Sequence, residues 1–297
     1  MQTRGMSDKT FGIINTFLVT LITLIVLYPL IFVISASISD PGAVTTGNMW
    51  LWPVDITFEG FSRVFENSEI WRGYGNTIFY TLLGTFIHLF VLLPAAYALS
   101  RKEVKGKKFI IWYILLTMLF SGGMIPNYLV VQNLGMLDTV WAMVIPKLVG
   151  AWSVLVAKAF FEQTIPDSLV EASKIDGASD FRIFWKIVLP LSLPIVAVMA
   201  LFHAVSLWNQ YFHALIYLSD RKMYPLQLIL REILIVDEMA LEDNFGGGTT
   251  ESLTEQIKTA ELTKYSTIIV STLPLLIAYP FLQRFFMKGV LIGSVKE

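Results

Sequence analysis

Residues 162–193 read EQTIPDSLVEASKIDGASDFRIFWKIVLPLSL, a stretch too polar to cross a bilayer and too patterned to be a slack loop. It predicts two short helices joined at an elbow. Pro166 suits a first helical turn, where its missing N–H costs nothing, and Asp167 places negative charge at that helix's positive end. Leu169, Val170, Ala172 and Ile175 share one strip of the helix. Gly177 then stops it, because glycine enters the left-handed C-terminal position without steric cost. Ser179 or Asp180 can cap a second helix carrying Phe181, Phe184, Trp185 and Ile187. Leu189, Pro190 and Pro194 lead the chain out. An aromatic helix held at a glycine elbow suits a partner's groove; the same pattern also fits an amphipathic helix lying on a membrane.

Working outward, the flanks are oily. Of 297 residues, 55% are hydrophobic and only 15% charged, against about 45–50% and about 25% in soluble domains. A lipid-facing surface accounts for that deficit of charge. A spanning helix needs about 20 mostly apolar residues, since lipid offers no partner for backbone polar groups. Six stretches qualify: 11–34, 76–99, 109–131, 139–161, 194–218 and 265–287. Small residues Ser35, Ala36 and Ser37 follow the first, but its apolar run exceeds the roughly 7–15 residues of a signal peptide, so an uncleaved span is expected.

Orientation follows from Lys and Arg in the short loops. With the N-terminus inside, Arg4, Lys9, Arg101, Lys102, Lys105, Lys107, Lys108, Lys158, Lys174, Arg182, Lys186, Arg284, Lys288 and Lys296 are cytoplasmic. The other side holds Arg63, Arg72, Arg221, Lys222, Arg231, Lys258 and Lys264, mostly in one long acidic loop that weighs little in the rule. The expected fold is therefore an all-α integral membrane protein, a single transmembrane domain over 1–297, with six transmembrane helices and both termini cytoplasmic. The loop 162–193 is cytoplasmic; loops 36–75 and 219–264 are outside. Trp50, Trp52 and Trp71 suit an interfacial cap. Gly246 to Gly248 make a flexible tip, since no Gly-Lys-Ser/Thr follows as a phosphate loop requires. The net charge of −1 gives no footprint for nucleic acid, and the absence of cysteine excludes disulfides and thiol chemistry.

Polar residues inside spans are expensive and face a bundle interior or a cavity. In span five His203, Ser206, Gln210 and His213 recur at i, i+3, i+7 and i+10, one helix face, with Trp208, Asn209 and Tyr211 adjoining. Aromatic rings and amides suit sugars, whose rings have apolar faces and hydroxyl edges, so these residues are candidates for a substrate pathway. Hydrogen bonding between helices is the competing account, and for His88 packing is the expectation. Lys147 is the one charge well inside a span. It either snorkels to the interface or faces the pathway, where it would accept an acidic, uronate-containing oligosaccharide. Gly122, Gly123 and Pro126 are expected to break span three. No Asp or Glu lies in any span, and nothing resembles a catalytic set or metal site.

Glu171-Ala172-Ser173, three residues, Gly177, nine residues, then Ile187-Val188-Leu189-Pro190 resembles the EAA loop of ABC-importer permeases. Ile175-Asp176-Gly177-Ala178 is similar to the carbohydrate, maltose-type branch. So are Leu51-Trp52-Pro53, Ala96-Tyr97-Ala98-Leu99-Ser100-Arg101, Leu134-Gly135-Met136-Leu137-Asp138-Thr139, Trp208-Asn209, Tyr279 to Phe286, and Gly293-Ser294-Val295-Lys296. Ser173 stands where a second alanine is usual, and Glu297 where a glycine is common. The resemblance implies a permease subunit of a bacterial cytoplasmic (inner) membrane importer for oligosaccharides. It implies a second homologous permease, two copies of a cytoplasmic ABC ATPase and an extracytoplasmic sugar-binding protein. ATP and Mg would bind the ATPases, and this chain would carry no cofactor and no enzymatic activity.

With no phosphate loop, the chain would receive ATP-driven motion mechanically. Gly177 would fix the elbow, Ser179, Phe181, Phe184 and Trp185 would form the peg, and Glu171 would pair across the contact. Ala172, Asp176, Leu189 and Pro190 complete the coupling surface, and the tail residues Gly293, Lys296 and Glu297 offer a second contact. The same machine for glycerol phosphate or a polyamine is the nearest alternative. A channel or secondary transporter without ATPases is the alternative from another class.

Overall fold

The structure, a computed structural model, describes residues 6–244, 260, 263–277 and 279–280, with side chains from residue 9 to 235 in the first of these segments. The tip 246–250, the tail residues Gly293, Lys296 and Glu297 and the end of the expected sixth span lie outside the described residues. Every regular element among those described is helical, as expected. The chain divides into two compact units, residues 1–70 with 230–273 and residues 71–229 with 274–297.

In the first unit, α1 (Met6–Ser37) contains the whole of the expected first span, and its apolar window buries nothing against the chain. Serines then turn the chain. Ser35 donates to the Leu51 carbonyl at 2.7 Å, and Ser39 Oγ accepts from the Val54 N–H at 3.2 Å. Asp40 caps α2 (Pro41–Thr45), accepting from the Ala43 N–H at 3.2 Å, with Pro41 at the first helical position. α3 (Glu59–Glu66) follows. Ala36, Ala43 and Met49 form a small core with Phe32 and Tyr265. Trp50 and Trp52, two of the three indoles expected at an interface, are exposed.

The second unit is built on α4 (Ser68–Ser100), which begins before the expected span and carries Pro94 within it. At one end Asn76 donates to the carbonyls of Lys222 and Tyr224, Tyr80 donates to that of Met223, and Thr77 Oγ1 accepts from the Leu226 N–H. These bonds pin residues 222–226 onto α4.

The third expected span is two helices, α5 (Lys107–Leu119) and α6 (Met124–Asn133), bent by 117° at the predicted glycine break. Gly123 supplies the turn with φ +85°. The fourth is likewise discontinuous: α7 (Val140–Val144) stops, Ile145 to Gly150 runs irregularly, and α8 (Ala151–Thr164) resumes. Pro146 has no N–H to continue α7.

Next come α9 (Asp167–Ile175), α10 (Asp180–Ile183), a π-helical turn over Phe184–Val188 and the short α11 (Leu189–Leu191). An 81° bend leads into α12 (Leu193–Trp208). Instead of reaching residue 218 unbroken, α12 ends at Trp208 and α13 (Phe212–Tyr217) follows. α14 (Leu226–Asn244) and α15 (Thr263–Ile277) complete the described elements.

A core of Leu92, Leu93, Ala96, Ala157, Phe161, Ile183, Val188 and Met199 joins α4, α8, α10, the π turn and α12. α4 and α12 also approach closely at Gly84, where an added Cβ would lie 2.5 Å from Leu207 Cδ1. A small residue at such a contact lets helices meet where lipid exerts no hydrophobic pressure.

Candidate functional site: an elbow and a polar cavity

The elbow forms as its local chemistry dictates. Gly177 takes φ +79°. Its N–H donates to the Lys174 carbonyl and the Ala178 N–H to that of Ser173, each at 3.0 Å, closing α9 with a Schellman-type cap. A side chain at Gly177 would meet nothing within 4 Å, so only the backbone conformation demands glycine. Ser179 Oγ accepts from the Arg182 N–H and caps α10. Lys174 and Asp180 lie 3.3 Å apart across the turn, exposed enough that the pair adds little.

Of the predicted coupling residues, Glu171, Ala172, Asp176, Gly177, Ser179, Phe181, Trp185 and Pro190 are exposed, Phe181 by 74%. Ile175 is 87% exposed beside them. Phe184 is turned inward, its ring 5.5 Å from that of Tyr97, and Leu189 is partly buried. Phe181 and Trp185 are thus the aromatic pair left on the surface. They flank a cleft of about 720 Å³ against Phe90, Pro94 and Tyr97 of α4.

Sequence reasoning gave Arg101 no role, yet it ties this end together. Its guanidinium donates to the carbonyls of Phe161 and Ile165 at 3.3 Å, where α8 ends, and lies 3.5 Å from Asp167 at the start of α9. It sits 5.1 Å from the Tyr97 ring centroid. A cation on the open carbonyls of a helix C-terminus and a carboxylate at a helix N-terminus both follow the helix dipole. Lys102 pairs with Asp167 at 2.8 Å and holds its carboxyl below the ordinary range, while Asp167 raises Lys102. Beside them Glu162 pairs with Lys158 at 2.7 Å and Lys107 at 3.1 Å; burial pushes that carboxyl up, but the two ammonium groups outweigh it. The available signal was an arginine one residue past a long helix, four after a tyrosine.

The pathway candidates separate into two groups. Lys147, His203 and Ser206 line one cavity of about 360 Å³, with His88, Trp152 and Ser153. Trp152 and Phe202 meet edge to face at 5.6 Å in its wall. His88 and His203 stack with ring centroids 4.0 Å apart and 3° between planes, and His88 Nδ1 lies 2.5 Å from the Leu148 carbonyl. His88, expected to pack, does so against the neighbouring histidine while also lining the cavity.

The remaining candidates are elsewhere because α12 ends. Asn209 folds back to donate to the Val205 carbonyl. Gln210 is buried and donates to the Met143 carbonyl at 3.0 Å, Trp208 packs near Tyr74, and His213 on α13 lies 5.7 Å from the Tyr217 ring. The predicted face from His203 to His213 is thus divided at Asn209.

A chain of bent and broken apolar helices, carrying an exposed aromatic elbow and a polar cavity, has the build of a membrane transport component. Residues 70–292 match the family described as "Binding-protein-dependent transport system inner membrane component", and the chain belongs to that family. It is a permease subunit residing in a bacterial membrane. Among its relatives is Protein LplC of Bacillus subtilis (strain 168), 37% identical over 98% of this chain and 96% of the relative. Another is the polygalacturonan/rhamnogalacturonan transport system permease protein YtcP of the same organism, 39% identical over 98% and 100%. A solved structure described as a bacterial ABC transporter involved in the import of the acidic polysaccharide alginate aligns with a TM-score of 0.83 and 35% identity, covering 96% of this chain and 100% of that one.

Proposed function

We propose that this chain is one permease subunit of an ATP-driven importer for acidic oligosaccharides. It pairs with a second permease and receives motion from two cytoplasmic ATPases through the elbow, and an extracytoplasmic binding protein delivers the cargo. The observation that carries this reading is the cavity: an ammonium, two imidazoles, two hydroxyls and a Trp152–Phe202 wall, with no carboxylate among its described lining. Aromatic faces take the apolar faces of sugar rings, hydroxyls take their edges, and the cation takes a uronate. The relatives, one for polygalacturonan and rhamnogalacturonan and one structure for alginate, support an acidic cargo.

In this reading both termini are cytoplasmic and the chain crosses six times, each broken pair completing one crossing. Exposed Glu171, Phe181 and Trp185 meet the ATPase, and the Arg101 knot carries its displacement to α4 and α8.

Co-purification of the tagged chain in mild detergent tests the assembly. Recovery of one homologous permease and two ATPase copies is expected, and recovery of this chain alone would overturn it. Gly177→Trp tests the elbow. Open space surrounds this glycine, so the cost is about 1 kcal/mol of backbone strain. The variant should assemble, hydrolyse ATP and lose most uptake; normal uptake would remove the elbow role.

A further inference from the structure

The cavity holds a buried group that has not found its partner. His203 is only 9% exposed, and among the described residues its Nε2 has no hydrogen-bond partner. An unpaired buried polar atom is costly and calls for an explanation. The adjoining chain is also short of acceptors. α8 opens at Gly150 with no side-chain cap, so the N–H groups of its first turn point out of the helix beside Gly150, Trp152 and Ser153, all of which line the cavity. Lys147, exposed on the same wall, adds a full positive charge.

We propose that this cavity is a carboxylate-binding site, in which a uronate group of the cargo is held by the Lys147 ammonium, the first-turn N–H groups of α8 and Nε2 of His203. The site rests on the acidic-oligosaccharide reading and assigns the residues that recognise the acid. A carboxylate has the lone pairs to answer several converging donors, and a helix N-terminus favours an anion. A neutral sugar would leave Lys147 without a counter-ion.

The stacked pair gives the site a proton linkage. The Leu148 carbonyl can only accept, so His88 carries its proton on Nδ1, and this bond fixes the ring on which His203 rests. Two imidazolium rings 4.0 Å apart would repel, so the pair takes up a single added proton. The charged and titratable groups facing His203 are His88 from α4 and Lys147 from the 145–150 link. His213 from α13 lies within electrostatic reach of Lys147, and the described lining offers no acid. A bound carboxylate favours the charged imidazole, so cargo binding takes up a proton and strengthens as external pH falls.

The test uses proteoliposomes holding the complete importer with its binding protein, trigalacturonate as probe, and a fixed internal pH. The probe stays ionised throughout, since carboxylates titrate near or below about 4. Wild-type uptake should be about fivefold faster at about pH 5.5 than at about pH 8. His203→Gln should bring that ratio close to one, whereas Lys147→Met should cut uptake about tenfold at both pH values and keep the ratio. His88→Gln can still donate to the Leu148 carbonyl, so it keeps the fold while removing the second ring; the midpoint of its profile should move to higher pH. A wild-type ratio in His203→Gln, or an unmoved midpoint in His88→Gln, overturns the site alone. A wild-type importer whose ATPases respond to the binding protein but which carries no trigalacturonate at any pH overturns the acidic reading and the site with it.

Discussion

The Arg101 knot and the His203 cavity belong to the same unit and treat polar groups in opposite ways. At the knot a buried guanidinium reaches two main-chain carbonyls, a carboxylate and an aromatic face, and the neighbouring Glu162 is claimed by two lysines. In the cavity an imidazole nitrogen and the first turn of α8 stand without acceptors among the described residues. A filled network holds its members in one arrangement, because moving any one strands the others. An unfilled one is ready for something that arrives. In the proposed reading, the contrast teaches that the chain transmits force where its polar groups are satisfied and accepts cargo where they are not.

The largest effect that can break this comparison comes from Arg101→Met. It strands the Phe161 and Ile165 carbonyls and uncovers Asp167, costing about 2–4 kcal/mol. The detergent-solubilised complex should lose several degrees of thermal midpoint, and an unchanged midpoint would show that the knot holds nothing. Gly84→Val comes next. Its side chain would meet Leu207 where α4 and α12 touch, costing about 1–3 kcal/mol. A thermal shift assay should register this, and a neutral result would mean the two helices separate freely.

A smaller effect sharpens the electrostatic side. Asp167 is depressed by Lys102, so its contribution is present above the ordinary carboxylate range and is lost as pH falls through its lowered value. Thermal midpoints should therefore be insensitive to this pair from about pH 8 down to about 5 and should drop below about 4. In Asp167→Asn that acid-side drop should shrink, and an identical drop would assign it to other groups. The smallest expected effect is Lys147→Met on stability, under about 0.5 kcal/mol, because the side chain is exposed in the cavity and forms no salt bridge among the described residues. A loss as large as that of Arg101→Met would make the cavity a second structural knot.

The elbow was legible in the sequence because its determinants are local. Gly177 and Ser179 each act within one turn of their own position, and both do so here, while Pro166 stands one residue ahead of the first helical turn, at the N-cap of α9. Which aromatic ring faces outward was not legible, because the π turn at Phe184 shifts the phase of a simple 3.6-residue reading. The helical class was legible from composition, but continuity was not. Hydropathy measures transfer into lipid and is nearly blind to a backbone break, so Ile145 to Gly150 and Asn209 looked like the interiors of spans. The same blindness made His203, Ser206, Gln210 and His213 look like one face. Arg101 and the His88–His203 stack were hidden because each joins segments far apart in the chain.

The break before α8 has one more consequence. The 14 residues of α8 rise about 21 Å, short of a hydrocarbon layer about 30 Å thick. In the six-crossing reading the irregular backbone from Ile145 to Gly150 lies at membrane depth, where it is tolerated only when buried or facing water. Lys147 and Gly150 are exposed, so in that reading this wall faces water. In the proposed import role a charged sugar entering there would trade one hydration shell for another in steps and never be stripped bare in a single one, which keeps the barrier low along a route through an otherwise oily protein.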